Sequence, residues 1–233
     1  MSAPVVAQAT PAERAAFIGR TYVHLLGAIL LFAALEVTWF VTPVASTMIR
    51  LMMGGGNLTW LLFMGAFVGV SYFANSWALR DNAKPLQYAG LGLFAVFESI
   101  LFVPLIAMAL IATKTGDPYI LPRAMGITAV LFAGLTGIVF LTRKDFSFMR
   151  GVLMFAGFAA FAMAVGSMIF GFSLGIFFSY AMVALAGGYI LYHTSNIMLH
   201  YRTNQHVAAS LALFSSVMLL FWYVLRIFLA RRR

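Results

Sequence analysis

Residues 86–112 read LQYAGLGLFAVFESILFVPLIAMALIA, a run with no lysine or arginine and a single acid, Glu98. A helix needs about 20 apolar residues to cross the hydrocarbon core of a bilayer, so this run is long enough to span it. Charge and turn chemistry bound it: Arg80-Asp81-Asn82-Ala83-Lys84-Pro85 before, Thr115-Gly116-Asp117-Pro118 after. The same pattern recurs on both sides, with apolar runs at 22–41, 60–79, 124–141, 148–169, 173–192 and 207–229. Gly54-Gly55-Gly56-Asn57 and Arg143-Lys144-Asp145 mark further breaks. The expected fold is an all-α integral membrane protein, a bundle of seven transmembrane helices.

Composition agrees. The 233 residues are 63% hydrophobic and 9% charged, against about 25% charged in a soluble domain. The expected organisation is a short cytoplasmic N-terminal segment at 1–20, one seven-helix domain at 21–230 and a basic tail at 231–233. Residues 1–16 lack a basic start followed by an apolar run, so no cleaved signal peptide is read there. There is no cysteine, which excludes disulfides and thiolate chemistry. The 14 methionines are scattered among the spans, as gap-filling side chains are.

The net charge of +9 sits mostly at the ends of apolar runs, the pattern of topology signals rather than of a nucleic-acid groove. With the N-terminus cytoplasmic, the inner side receives Arg14, Arg20, Arg80, Lys84, Arg143, Lys144, Arg150 and Arg202, and the outer loops receive Arg50, Lys114 and Arg123. Seven crossings then place Arg226 and the triplet Arg231, Arg232, Arg233 outside, against the positive-inside tendency. A last segment that re-enters without spanning is the alternative. The lipid bilayer is the first partner, and the triplet is expected at its headgroups.

Small residues recur at helical spacing at Gly65 and Gly69; at Ala156, Ala160 and Ala164; at Gly175, Ser179, Val183 and Gly187; and at Ala208, Ala212, Ser215 and Ser216. Such stripes let helix backbones approach. The last stripe lies opposite Phe214, Val217, Phe221, Val224 and Phe228, giving the seventh span one slim side and one aromatic face. Ser215 and Ser216 either pack closely there or line a narrow aqueous path.

Charges within the bilayer are costly, so they are the first functional candidates. Glu98 lies mid-span. Pro104 cannot donate to the carbonyl of Ile100, leaving an oxygen about one turn beyond Glu98; carboxylate plus carbonyl would suit a transient hard cation. A carboxyl hydrogen-bonded to a neighbouring helix is the other reading. Glu36, toward the outer part of the first span, and Arg226, near the end of the last, are expected to reach the headgroups. His193 closes the sixth span with His200 and His206 in the next loop, so three imidazoles are expected at one mouth of the bundle; His24 lies at the inner end of the first span. Histidine titrates near pH 6.5 and can act as a proton-sensitive gate. No metal site, cofactor or enzyme is expected: phosphate loops, His-Glu-x-x-His helices and catalytic carboxylate pairs are absent from the sequence. Lys84, Lys114 and Lys144 all fall in loops, which disfavours a retinal Schiff base.

Four segments together resemble the transmembrane Bax inhibitor motif family in its bacterial branch. They are Arg20-Thr21-Tyr22-Val23-His24-Leu25, Phe97-Glu98, Thr142-Arg143-Lys144-Asp145-Phe146-Ser147, and Gly188-Tyr189-Ile190-Leu191-Tyr192-His193-Thr194-Ser195-Asn196-Ile197. Asp145 or Ser147 in the third segment has a local role as a helix cap. The resemblance implies a bacterial inner-membrane protein whose last helix is surrounded by the other six. It also implies either a pH-sensitive calcium leak or a regulator of cell death or membrane proteolysis. Calcium-leak members carry paired aspartates at the end of the sixth helix and in the seventh. Here His193 takes the first position, and residues 210–216 offer no acid, with Ser215 as the counterpart. Two functions are therefore expected as alternatives. One is a pH-responsive cation leak with Glu98, Glu36, Ser215 and Ser216 as path candidates and His193 as gate. The other is a non-transporting protein that binds a membrane protease or another integral partner, using the aromatic face of the last span.

Overall fold

The computed structural model describes residues 3–80 and 83–231; Arg232 and Arg233 of the basic tail, and Asp81 and Asn82 of the turn before the third span, lie outside the described residues. Eight α-helices follow one another: α1 (Pro11–Val41), α2 (Val44–Gly54), α3 (Gly56–Ala78), α4 (Lys84–Thr115), α5 (Ile120–Thr142), α6 (Arg150–Phe170), α7 (Gly175–Leu199) and α8 (His206–Ala230). All but α2 are long and apolar enough to cross a membrane. At 1.5 Å per residue, α2 reaches only about half of the roughly 30 Å core.

Local chemistry explains where the helices depart from the apolar runs. Helix α1 starts at Pro11, inside the segment expected at 1–20. Thr10 Oγ1 accepts the Glu13 amide (3.3 Å) and Glu13 Oε2 accepts the Thr10 amide (3.0 Å), a capping box followed by proline at the first helical position. Helix α2 was not anticipated. It fills the connection between the first two apolar runs and ends at Gly55 and Gly56, where Gly56 adopts a φ of 60°. Helix α7 continues to Leu199, so His193 is within the helix and not at its end. The polar Thr194 and Ser195 that lower the hydropathy there are fully buried, and His206 is the first residue of α8 rather than a loop residue.

The first and last described residues lie at opposite ends of the bundle. Near residue 6 the chain bridges the α7–α8 connection, with the Val6 amide on the Tyr201 carbonyl (2.9 Å) and the Thr203 amide on the Pro4 carbonyl (3.1 Å). At the far end, the Arg231 guanidinium donates to the Tyr180 hydroxyl (3.3 Å). Helix α8 thus runs the full depth of the bundle and is long and apolar enough to cross a membrane.

Helix α8 is the central helix. Leu213, Phe214, Leu220 and Leu225 are fully buried, and the helix packs against α1, α3, α4, α5 and α7. Helix α6 does not reach it and rests on α7 and α3, so five spans, not six, surround α8. Its aromatic face points inward, contrary to expectation: Phe214 meets Phe94 edge-on (6.1 Å between centroids) and Phe221 stacks on Phe102 (5.6 Å). A central helix has no lipid side, so its bulky residues fill the gaps left by its neighbours. The close backbone approaches also differ from the expected stripes. Gly65 and Gly69 face open space, whereas a methyl on Gly90 would lie 2.7 Å from the Ala74 carbonyl oxygen, and one on Gly188 would lie 2.8 Å from Leu153. Helices α3 and α4 therefore approach backbone to backbone through Gly90, whereas at Gly188 the near neighbour is the side-chain end of Leu153.

Candidate functional site

Because α6 stands off from α8, a cavity of about 640 Å³ opens among α3, α4, α6, α7 and α8. Four of the candidate residues line it: Glu98 from the middle of α4, His193 from α7, and Ser215 and Ser216 from the middle of α8. Trp60 of α3 and Arg226 of α8 line it toward the far end. Arg226, near the end of α8, borders this cavity with its guanidinium 6.0 Å from the Tyr223 ring centroid.

Glu98 is buried at 7% exposure and makes no hydrogen bond or ion pair among the described residues. The neighbouring-helix hydrogen bond considered from sequence does not form; the carboxyl borders the cavity. Ser216 donates its hydroxyl to the Ala212 carbonyl (2.9 Å), a back-bond within the helix. Glu36 is not part of this site. It is buried rather than reaching for headgroups, and both carboxyl oxygens lack a partner among the described residues. The reason is α2, which packs on α1, α3 and α4 and turns that part of α1 into bundle interior.

A second recess, of about 370 Å³, lies at the N-terminal end of the bundle and is lined by Ser147, Arg150, Asn196, His200 and Gln205 among others. His193 belongs to the walls of both spaces. Its ring lies nearly parallel to Tyr189 (5.9 Å, 13°) and edge-on to Tyr192 (5.1 Å), and its Nδ1 is enclosed without a partner among the described residues. His193 thus partitions the two spaces. Tyr189 is held by donating to the Leu153 carbonyl (2.9 Å), across a gap that only Gly157 leaves open. Nothing in the spacing of the sequence singled out Tyr189, because its role depends on where α6 packs.

The floor of the recess is tied down by the third motif segment. Asp145 Oδ1 accepts the Ser147 amide (2.8 Å), and Ser195 Oγ accepts the Phe146 amide (2.9 Å). Asp145 thus closes a turn onto Ser147 and, contrary to expectation, does not cap α6. Ser147 opens a 3₁₀ turn, Ser147–Met149, and makes no cap to α6. The Ser147 amide holds the Asp145 carboxyl below the usual carboxylate range, with a smaller contribution from His200, whose Nε2 stands 3.6 Å from Oδ2. Beside them, burial pushes the Tyr201 phenol up to about 12, with Tyr192 adding to the shift. The expected trio of imidazoles is divided: His193 and His200 share the recess, while His206 lies against His24 (4.9 Å between centroids). Among the described residues no group of three or more histidines and acids is placed to hold a metal.

Comparison with known proteins places this architecture. The family described as inhibitor of apoptosis-promoting Bax1 matches residues 14–233. An uncharacterized membrane protein of Vibrio cholerae is 27% identical over 190 residues, covering 80% of this chain and 82% of that one. An uncharacterized protein of Pseudomonas aeruginosa is 33% identical over 110 residues, 47% and 49% of the two chains. The modulator of FtsH protease YccA of Escherichia coli is 30% identical over 189 residues, 80% of each chain. With seven spans, a central last helix and a family match that omits only the first residues, this chain belongs to the Bax inhibitor family of multi-pass membrane proteins, in company with inner-membrane members from bacteria.

Proposed function

We propose that this chain is a bacterial inner-membrane protein that modulates a membrane protease by binding, without catalysing a reaction itself. The observation that carries this reading is the likeness, over four fifths of both chains, to a protein named as a modulator of FtsH protease. The geometry offers a surface for it, though not the one expected from sequence. Helix α6 rests on only two spans and turns Phe155, Phe158 and Phe170 outward, each at least 72% exposed. In lipid, helix association rests on packing rather than on a hydrophobic drive, and such an outlying helix is the one a partner's span can approach. Affinity purification of the chain from native bacterial membranes tests this reading. A stoichiometric FtsH-type protease supports it, and recovery of the chain alone under conditions that preserve other membrane complexes refutes it.

A second reading rests on a different observation, the cavity that brings Glu98 into line with the His193 partition. It is a pH-responsive cation leak in which Glu98 attracts the cation and movement of the His193 ring joins the two spaces. In liposomes this reading expects cation flux that falls on Glu98→Gln and loses its pH dependence on His193→Gln. Absence of flux from mildly acidic to neutral pH refutes it.

A further inference from the structure

Away from the cavity, a second set of polar side chains meets at the N-terminal end of the bundle. Arg20 and His24 come from α1, Lys84 and Tyr88 from α4, and His206 from the start of α8. His24 is locked in place. Its Nδ1 donates to the Arg20 carbonyl (2.6 Å), and its Nε2 is hydrogen-bonded to the Tyr88 hydroxyl (3.1 Å). The His24 ring lies 5.4 Å from Tyr88 and 4.9 Å from His206. Arg20 and Lys84 both lie within electrostatic range of the His206 ring. Among the described residues neither Arg20 nor Lys84 has an ion-pair partner, and His206 Nδ1 is enclosed with no hydrogen-bond partner.

Three helices thus bring two exposed cations and an unpartnered imidazole nitrogen together where no acid among the described residues answers them. The start of α8 adds to the imbalance. Gln205 at its N-cap turns its side chain back to the Arg202 amide (3.1 Å) and makes no cap bond, so the partial positive charge of the helix end is left open to an anion. Lys84 opens α4, and Arg20 lies some nine residues inside a helix longer than a bilayer crossing requires. Both therefore stand at headgroup depth, where basic recesses between transmembrane helices take up lipid phosphates.

We propose that Arg20, Lys84 and His206 form a phosphate-binding site between α1, α4 and α8, with His24 and Tyr88 as its rigid wall. The phosphate is that of an anionic phospholipid headgroup or a soluble phosphate ester, and the test separates these sources. The full-length protein in mild detergent is given phosphatidylglycerol, phosphatidylcholine or inorganic phosphate. Retained lipid is counted by native mass spectrometry, and the thermal unfolding midpoint is read in parallel. A headgroup site retains phosphatidylglycerol in preference to phosphatidylcholine and is stabilised by it. Arg20→Gln with Lys84→Gln weakens retention roughly thirtyfold, from the loss of two interfacial charges. Arg20→Lys with Lys84→Arg restores it, and Arg143→Gln with Lys144→Gln, at the same end of the bundle, leaves it unchanged. Stabilisation by inorganic phosphate with no preference between the lipids assigns the site to a soluble phosphate. Equal retention of both lipids with no effect of phosphate on the wild-type protein overturns the proposal, and so does undiminished binding by a folded Arg20→Gln, Lys84→Gln protein.

Discussion

The contact between α3 and α4 can be tested at a single atom. An alanine methyl at position 90 would lie 2.7 Å from the Ala74 carbonyl oxygen and 3.3 Å from Trp77 Cβ. The nearer atom is backbone, so α3 has to move away by roughly half an ångström to reach ordinary van der Waals separation. Overpacking of this kind costs about 1–3 kcal/mol. Replacing glycine by alanine within a helix returns about 0.5–1 kcal/mol, and less where the unfolded state in a micelle keeps its helices. The net expectation for Gly90→Ala is a loss of about 0.5–2 kcal/mol. A methyl on Gly92, two residues along the same helix, would meet nothing within 4 Å, so Gly92→Ala keeps the propensity gain without the clash. The difference between the two variants isolates the steric cost at about 1–3 kcal/mol. Reversible denaturation in mixed micelles, followed by tryptophan emission, measures it. Because α3 supplies Trp60 to the cavity wall, the Gly90 variant should also show altered Trp60 emission in its folded state. Equal stability of the two variants would refute the packing of α3 on α4.

Four further outcomes follow from the loops, the ends and α6. Asp145→Ala removes the acceptor that holds the 3₁₀ turn before α6, and hydrogen exchange at Phe146 and Ser147 should accelerate while the α8 core stays protected. The carboxyl of Asp145 is held low in the folded protein, so its stabilising contribution is present above the ordinary carboxylate range and is lost as pH falls through the folded value; the wild-type loop should loosen only in that acidic window. A reporter fused after Arg233 that works only outside the cytoplasm should be active, and one fused ahead of residue 11 should not, since α8 carries the chain to the end opposite its start. Phe155→Ala with Phe158→Ala, on the outer face of α6, should leave the unfolding midpoint nearly unchanged while lowering recovery of the protease partner, because those rings are mostly exposed on the outside of the bundle.

The long apolar run around Glu98 made α4 legible, and the other six spans followed by the same measure, since length and hydropathy need no tertiary information. That Glu98 would face something other than lipid was legible because a mid-span acid is costly there, and it borders the cavity. The position of Glu36 was not legible. Its burial depends on α2, whose 11 residues carry Arg50 and fall below the length of a crossing. Nor could the sequence place α6 away from the centre: lipid and neighbouring helices are equally apolar, so hydropathy does not tell a surrounded span from an outlying one. The inward turn of Phe214 and Phe221 was missed for the same reason. The continuation of α7 past His193 was missed because Thr194 and Ser195 read as a polar exit, while in the fold Ser195 anchors the α5–α6 connection. The expected cap at the start of α6 does not form; Asp145 instead closes a turn onto the Ser147 amide two residues on, which needs only local geometry.

The most direct test of the proposed role is the rate at which purified FtsH-type protease degrades a membrane substrate in proteoliposomes, measured as this chain is titrated in. The account predicts a saturable change in rate that is complete near equal numbers of chain and protease and is weakened by Phe155→Ala with Phe158→Ala. A degradation rate that stays constant at every ratio, with both proteins shown to be inserted and folded, would contradict it.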